Sequence, residues 1–273
     1  MKRRLLLSIF MLVLAFVVLL TGCAPSTPNT NTTNPNATTA PVLKAFKIGT
    51  DNTYPPMEFA DDENNTVGFD VDMAAEICKR IGRKMELVPT QWSGIETGLT
   101  TKKFDCIISS YSITKERQVT WNFTQPYVAN AQVFIVPAKN DTIKTEADLA
   151  GKRVGAQINT TSSKAAETVK EKYPFELTTY ESVLDPFNDL SNGKIDAICV
   201  DIVVAADYVT KSPEKYKYSG IKLAPEGIGI AFRKEDTDLL KEVDAAITAM
   251  KKDGTMSAIS IKWLGVDSTQ NLK

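Results

Sequence analysis

The segment Ser110-Tyr-Ser-Ile-Thr-Lys-Glu-Arg117 follows an apolar run and offers hydroxyls and a guanidinium within a few residues. A guanidinium suits bidentate capture of a carboxylate, and a plain surface arginine is the alternative. Thr160, Thr161 and Ser162 stand where a loop enters a helical run over Lys164 to Lys172. Their hydroxyls and first-turn N–H groups form an anion site, an N-cap, or both at once. Asp201 ends the apolar run Ile195 to Val200, where a carboxylate is costly unless it meets a cation, and an ammonium would serve. An arginine and a helix N-terminus for a carboxylate, with an aspartate for an ammonium, describe a receptor for an α-amino acid. Trp92 and Tyr54, in loops after strands, suit aromatic walls, with core packing as the alternative.

Composition narrows the chemistry further. The sequence holds no histidine, which removes the commonest general base, the Ser-His and Cys-His nucleophile pairs and the imidazole ligands of catalytic zinc. With 32 Lys plus Arg against 33 Asp plus Glu there is no single-sign field of the kind that nucleic-acid binding requires. The acidic run Asp61-Asp62-Glu63-Asn64-Asn65 lacks the later glycine and glutamate of a calcium loop and reads as a hairpin tip. No metal or other cofactor is expected.

The elements that must position these groups alternate. Apolar runs predict strands at Phe46 to Thr50, Met85 to Pro89, Phe104 to Ser109, Val133 to Pro137, Arg153 to Ala156, Glu176 to Thr179, Ile195 to Val200 and Ile228 to Phe232. Helical periodicity joins Met73, Ile77 and Ile81, with Ala74 and Cys78 beside them, and joins Leu239, Val243, Ala246, Ile247 and Met250. The alternation predicts an α/β fold with mostly parallel sheets. An internal echo pairs Leu99-Thr-Thr-Lys-Lys-Phe-Asp105 with Leu190-Ser-Asn-Gly-Lys-Ile-Asp196, and Lys47-Ile48-Gly49 with Arg153-Val154-Gly155. The two offsets differ, so two related α/β lobes of unequal loop length fit better than a solenoid. Ser110 and Asp201 then occupy equivalent positions past strand ends, as do Tyr54 and Thr160. Ligands of open α/β sheets bind beyond the carboxyl ends of strands, so two lobes facing each other there would enclose a small molecule.

The ends of the chain give an address. Residues 1–22 carry Lys2, Arg3 and Arg4 ahead of an apolar run from Leu5 to Leu20, the pattern of an export signal. Leu20-Thr-Gly-Cys23 resembles a bacterial lipobox, which makes Cys23 the lipid attachment point; ordinary secretory cleavage or an uncleaved membrane helix are the alternatives. Residues 23–43 form a Pro/Thr/Asn-rich linker that buries too little surface to offset its ordering entropy. A lipid-anchored domain at the outer face of the cytoplasmic membrane, or in the periplasm, is expected. Lipidation leaves Cys78, Cys106 and Cys199, an odd number, so buried free thiols are expected, with a Cys78–Cys106 bond as the lesser alternative.

Several stretches are shared with one family: Gly49-Thr-Asp-Asn-Thr-Tyr-Pro-Pro-Met-Glu58, Gly68-Phe-Asp-Val-Asp72, Gln91-Trp92, Phe104-Asp105 through Arg117, Asp196-Ala-Ile-Cys-Val-Asp201, and Asp253-Gly254 with Lys262-Trp-Leu-Gly265. On these, residues 44 to 265 resemble the amino-acid-binding members of the extracellular solute-binding protein family 3, receptors of ABC importers. The resemblance implies a periplasmic-binding-protein-like fold of two α/β lobes around a ligand cleft. Two crossover strands near Val133 to Pro137 and Ile228 to Phe232 would make residues 44–137 plus 229–273 lobe 1 and 138–228 lobe 2.

The family further implies that Arg117 and Thr160 hold a ligand carboxylate. Ser110, Ser112 and Asp201 would meet the ammonium, Tyr54 and Trp92 would flank the side chain, and Asp51 would lie near its end; Thr161, Ser109 and Glu58 complete the expected ligand-binding set. Asn159 stands where the family usually has glycine, and asparagine tolerates the left-handed conformation better than most residues.

The partners implied are a free amino acid, an ABC permease with its ATPase, and the membrane through the anchor, with the receptor itself a monomer. Asp51 and Glu58 favour a cationic ligand such as arginine, lysine or ornithine, with glutamine or cystine as alternatives. A non-enzyme is expected. The competing enzyme reading is a cyclohexadienyl dehydratase-like activity on the same fold, in which Glu58 or Asp201 would have to act as acid or base.

Overall fold

A computed structural model describes residues 44–270 and 272. The export segment, Cys23 and the linker lie outside the described residues. In chain order the first part comprises β1 (Ala45–Thr50), β2 (Thr53–Tyr54), β3 (Glu58–Ala60), β4 (Thr66–Val67), α1 (Phe69–Arg80) and β5 (Lys84–Pro89). A 3-10 turn at Trp92–Gly94, α2 (Ile95–Thr100), β6 (Cys106–Ile107), α3 (Lys115–Thr120) and β7 (Trp121–Phe123) follow. α1 forms where the periodicity predicts it: Met73, Ala74, Ile77 and Cys78 are buried on one face. Asp70 and Asp72 in its first turn, and Lys79 and Arg80 in its last, complement the helix dipole.

The second part opens with β8 (Val128–Pro137) and continues through a 3-10 turn at Glu146–Leu149, β9 (Arg153–Gln157), α4 (Thr161–Lys172), β10 (Glu176–Tyr180), α5 (Leu184–Ser191), β11 (Ala197–Asp201), α6 (Ile202–Lys211) and β12 (Tyr216–Ile228). The chain then returns through β13 (Ala231–Arg233) to α7 (Thr237–Lys252) and α8 (Thr255–Leu264). One five-stranded sheet has the order β5-β1-β6-β13-β7, the other β10-β9-β11-β8-β12, and β2, β3 and β4 form a small antiparallel sheet. In each large sheet three strands are parallel, and the crossover strands pair antiparallel to them.

Each lobe is pinned in the same way, which gives the sequence echo a physical cause. Asp105 Oδ2 accepts from Lys47 N at 2.9 Å, and Asp196 Oδ2 accepts from Arg153 N at 2.9 Å. Gly49 leaves room for the Phe104 ring, which a Cβ there would meet at 2.4 Å. Gly155 leaves room for Ile195, whose Cδ1 would lie 2.7 Å from a Cβ. Aspartate, plug residue and glycine thus recur as one unit.

Several boundaries differ from the sequence expectation. Val133 to Pro137 is not a strand leaving the first lobe: all of β8 pairs within the second sheet, with β11 and β12. The chain therefore changes sheets between Phe123 and Val128. The run Ile228 to Phe232 is divided, with β12 ending at Ile228 and β13 starting at Ala231. The run Phe104 to Ser109 yields only Cys106–Ile107 as strand, because Ser109 and Ser110 turn their polar groups toward buried carboxyls. Asp61 accepts from the backbone N–H groups of Glu63 and Asn65 in the turn between β3 and β4, which is the expected hairpin tip. Cys78, Cys106 and Cys199 are buried free thiols, with no Cys78–Cys106 bond.

Candidate functional site

The carboxyl ends of the parallel strands deliver polar residues to one cavity between the sheets, as strand geometry demands. β1 leads to Asp51, β6 to Ser109, Ser110 and Ser112, β9 to Gln157 and Thr160, and β11 ends on Asp201. The small sheet adds Tyr54 and Glu58, the 3-10 turn adds Trp92, and the first turns of α3 and α4 add Arg117 and Thr161. The other expected ligand residues line this cavity and Gln157 joins them, whereas Ser162 does not line it and turns its hydroxyl to Asp201 Oδ1 at 3.4 Å.

Arg117 is held rigidly. The Thr114 hydroxyl accepts from its backbone N–H at 3.1 Å and caps α3. Its guanidinium lies 3.9 Å from the Tyr111 ring centroid and 5.8 Å from that of Trp92. Nη1 donates to Ser112 O at 3.1 Å and Nη2 to Asn159 O at 3.4 Å. Asn159 adopts φ 57°, so asparagine does take the left-handed position that glycine usually fills. Thr160 realises the capping alternative: its hydroxyl donates to Gln157 O at 2.7 Å and accepts from Ser163 N at 3.0 Å. The α4 backbone and the Thr161 hydroxyl are what that terminus presents toward Ser112, with Ser112 Oγ and Thr161 Oγ1 3.3 Å apart.

The two lobes touch through their polar groups. Tyr54 OH donates to Asp201 Oδ2 at 2.8 Å, and Gln157 Nε2 donates to Asp51 Oδ2 at 3.0 Å. Ser93 N donates to Glu181 Oε1 at 3.0 Å, and Lys164 pairs with Glu116 across the mouth. Behind the cavity Glu226, on the return strand, accepts from Ser112, Asn130, Gln132 and Thr161. The Gln132 amide also reaches Asp201 Oδ1 at 3.2 Å.

The electrostatics are one-sided. Burial pushes the Asp51 carboxyl up, with the charge of Glu181 adding to it. Burial and Asp201 do the same to Glu226, and burial together with Asp201 drives the Tyr54 phenol far up. No Lys or Arg among the described residues forms an ion pair with Asp51, Glu58, Asp70, Asp201 or Glu226. Arg117 is the one cationic side chain lining the cavity.

The sequence reading passed over Gln157, Gln132 and Glu226. Gln157 ends β9 three residues before Thr160, so the strand-end rule that found Thr160 reaches it too. Gln132 and Glu226 had no local signal, because sheet register alone brings them here.

Two α/β lobes, two crossings of the chain and polar groups converging on a cavity between them define a solute-binding fold. The chain belongs to the bacterial extracellular solute-binding proteins, family 3, whose family model matches residues 46–266. It is 36% identical over 225 residues to the L-cystine-binding protein TcyJ of Escherichia coli (strain K12), covering 82% of this chain and 84% of that one. It is 34% identical to the ABC transporter arginine-binding protein 1 of the same strain, over 82% of this chain and 92% of the relative. An ancestral arginine-binding protein solved with arginine bound superposes with a TM-score of 0.78 at 36% identity, covering 82% of this chain and all of that one (100%). No helix among the described residues is long and apolar enough to cross a membrane.

Proposed function

We propose that this protein is the extracytoplasmic receptor of an ABC importer, that it closes around a cationic L-amino acid (arginine, lysine or ornithine), and that it hands this ligand to a membrane permease and its ATPase. The observation that carries the reading is the charge imbalance: buried carboxyls surround a cavity lined by a single guanidinium. A ligand with two cationic groups and one carboxylate offsets that imbalance, and a neutral side chain does not.

In this reading Arg117 and the α4 terminus at Thr160 and Thr161 take the ligand carboxylate. Asp201, Ser110 and Ser112 take the ammonium, Tyr54 and Trp92 flank the side chain, and Asp51 receives its charged end, with Ser109 and Glu58 behind. Both lobes contribute contacts, so the ligand stabilises the closed arrangement by its differential affinity for that state. The lipid anchor at Cys23 and a monomeric receptor complete the proposal. Cystine is the second reading, favoured by the similarity to the Escherichia coli cystine-binding protein.

An enzymatic reading has less support, since these relatives are named as binding proteins and Asp201 is already engaged by Tyr54, Gln132 and Ser162. The test is a thermal-shift screen of refolded protein against the twenty amino acids plus ornithine and cystine, because a tight ligand raises the midpoint by mass action. A selective shift with arginine, lysine or ornithine is expected. A shift with cystine or glutamine alone removes the charge argument, and no shift with any of them removes the amino-acid reading.

A further inference from the structure

Beneath the cavity floor lies a carboxyl pair whose chemistry the proposed function leaves unused. Glu58, in β3, and Asp70, in the first turn of α1, are each only 1% exposed and are bridged by one residue, Ser110, whose hydroxyl donates to Glu58 and whose backbone N–H donates to Asp70. Two carboxylates held to one serine offer each other only acceptors, so a hydrogen bond between them needs a proton on one. The donors around the pair account for most of its oxygens. Glu58 Oε1 accepts from Ser109 Oγ at 2.9 Å and Oε2 from Ser110 Oγ at 3.3 Å. Asp70 Oδ2 accepts from Ser110 N at 2.8 Å and Tyr127 OH at 2.9 Å, whereas buried Asp70 Oδ1 meets no donor.

The titratable groups facing the pair are Asp51 after β1, Tyr54 in β2 and Tyr127 ahead of β8. None of them is a cation. Two like charges on either side of one serine, buried with no cation, are strongly disfavoured, and one proton between them relieves the repulsion.

We infer that Glu58 and Asp70 share one proton at neutral pH, with Glu58 donating to Asp70, and that this singly charged pair is the positioning element for Ser109 and Ser110 at the cavity floor. The shared proton gives Asp70 Oδ1 its partner. It also explains how Ser110 is kept at φ 46°, a left-handed conformation uncommon for serine. Its backbone N–H is tied to Asp70 and its hydroxyl to Glu58.

The direction of the acidities agrees: burial and the nearby Asp70 push Glu58 well up, and burial pushes Asp70 up to about 6. Both carboxyls hold protons more tightly folded than unfolded. The stability tied to the pair is therefore fully present below the ordinary carboxyl range, about 4, and is lost as the pH rises from there through the folded values, about 6 for Asp70 and well above the ordinary value for Glu58. A second consequence is that the pair presents one negative charge to the cavity instead of two, which leaves Asp51 and Asp201 as the carboxylates nearest a bound cation.

Infrared difference spectroscopy of the protein at pH 7 reads the proton without any ligand, so its outcome is separate from the identity of the amino acid bound. The expected result is a protonated-carboxyl carbonyl band in the parent that is lost in Glu58→Gln, whose amide N–H still donates to Asp70. Asp70→Asn supplies an amide donor to Glu58, lets it ionise and abolishes the same band. The thermal midpoint of the parent falls as the pH rises from about 4 through neutral, and that of Glu58→Gln falls less, a signature that loss of packing alone would not produce. A parent spectrum without the band, or a band unchanged in both variants, overturns the inference. The parent spectrum is informative even where a variant fails to fold.

Discussion

The two lobes use one framework and two kinds of floor. In both, a strand-end aspartate pins the first strand, and a large side chain fills the gap left by a glycine: Asp105, Phe104 and Gly49 in one, Asp196, Ile195 and Gly155 in the other. Past the strand ends the resemblance stops. The first lobe turns Ser109 and Ser110 onto buried carboxyls. The second presents the start of α4 beyond a left-handed Asn159, and ends β11 on Asp201. Repetition is confined to what holds the strands together, and divergence to what faces the cavity. That division is expected if two similar scaffolds supply different ends of an unsymmetrical ligand.

The framework half of this comparison is broken most severely at its glycines. Gly49→Ala would drive a Cβ into the Phe104 ring, which is rigid and buried, and Gly98 closes on the same ring, so the ring has little space to move. Overpacking of this kind costs about 1–3 kcal/mol, and we expect Gly49→Ala near the top of that range. Gly155→Ala meets the tip of Ile195, which can change rotamer, and more loosely Pro186 and Tyr180 at 3.1 Å, so a smaller loss of about 1–2 kcal/mol is expected there. Thermal or urea unfolding of the two variants side by side is the measurement. Equal losses would show that the two plugs are not graded by stiffness as their contacts imply.

The cavity half is tested by Arg117→Ala. Hydrogen bonds to charged groups contribute about 1.5–3 kcal/mol, so affinity for the ligand found in the screen should fall at least about tenfold by calorimetry. The folded state should lose less than in Gly49→Ala, because Arg117 packs at the mouth and not in the core. Unchanged affinity would mean that the carboxylate is held by the second lobe alone. Tyr54→Phe is expected to have a smaller effect, a few-fold weaker binding, since it removes one neutral donor from Asp201 while Gln132 and Ser162 remain.

Much of this site was legible in the sequence because its residues follow strand ends, and a strand end is a local pattern. Ser110, Thr160 and Asp201 could each be placed from the apolar run before them. The layer behind them was not legible. Gln132 faces Asp201 because β8 and β11 pair antiparallel at that register, and Glu226 lies opposite Asn130 because β12 pairs on the other side of β8. Nothing near residues 132 or 226 records either pairing. The same non-local pairing explains why the crossing was expected at Val133 to Pro137: a run of buried apolar residues reads identically whichever sheet it joins. The Glu58–Asp70 contact was obscured in another way, since each residue belongs to a familiar local stretch and only packing of β3 against α1 brings them together.

The smallest effect should come from the pins themselves. Asp196 takes the Arg153 guanidinium through Nε at 3.0 Å and Nη2 at 2.7 Å as well as the backbone N–H, whereas Asp105 accepts only from the backbone of Lys47. Arg153 holds the Asp196 carboxyl below the ordinary aspartate range. A depressed carboxyl contributes stability that is present above the unfolded value, about 3.9, and is lost as the pH falls through the folded one. The pair is partly open to solvent, with side-chain exposures of 43% for Arg153 and 31% for Asp196, so screening keeps its contribution small. Asp196→Asn should therefore lower the midpoint by only a few degrees at pH 7, and should make the second lobe less sensitive to acid below about pH 4. Asp105→Asn, which keeps an oxygen for Lys47 N–H and breaks no ion pair, should cost less at pH 7. Acid titrations of both variants would tell whether the guanidinium or the backbone contact fixes the strand. If Asp105→Asn proves the more damaging, the shared backbone bond is the essential part of the repeat and the arginine is an addition on the outside of one lobe.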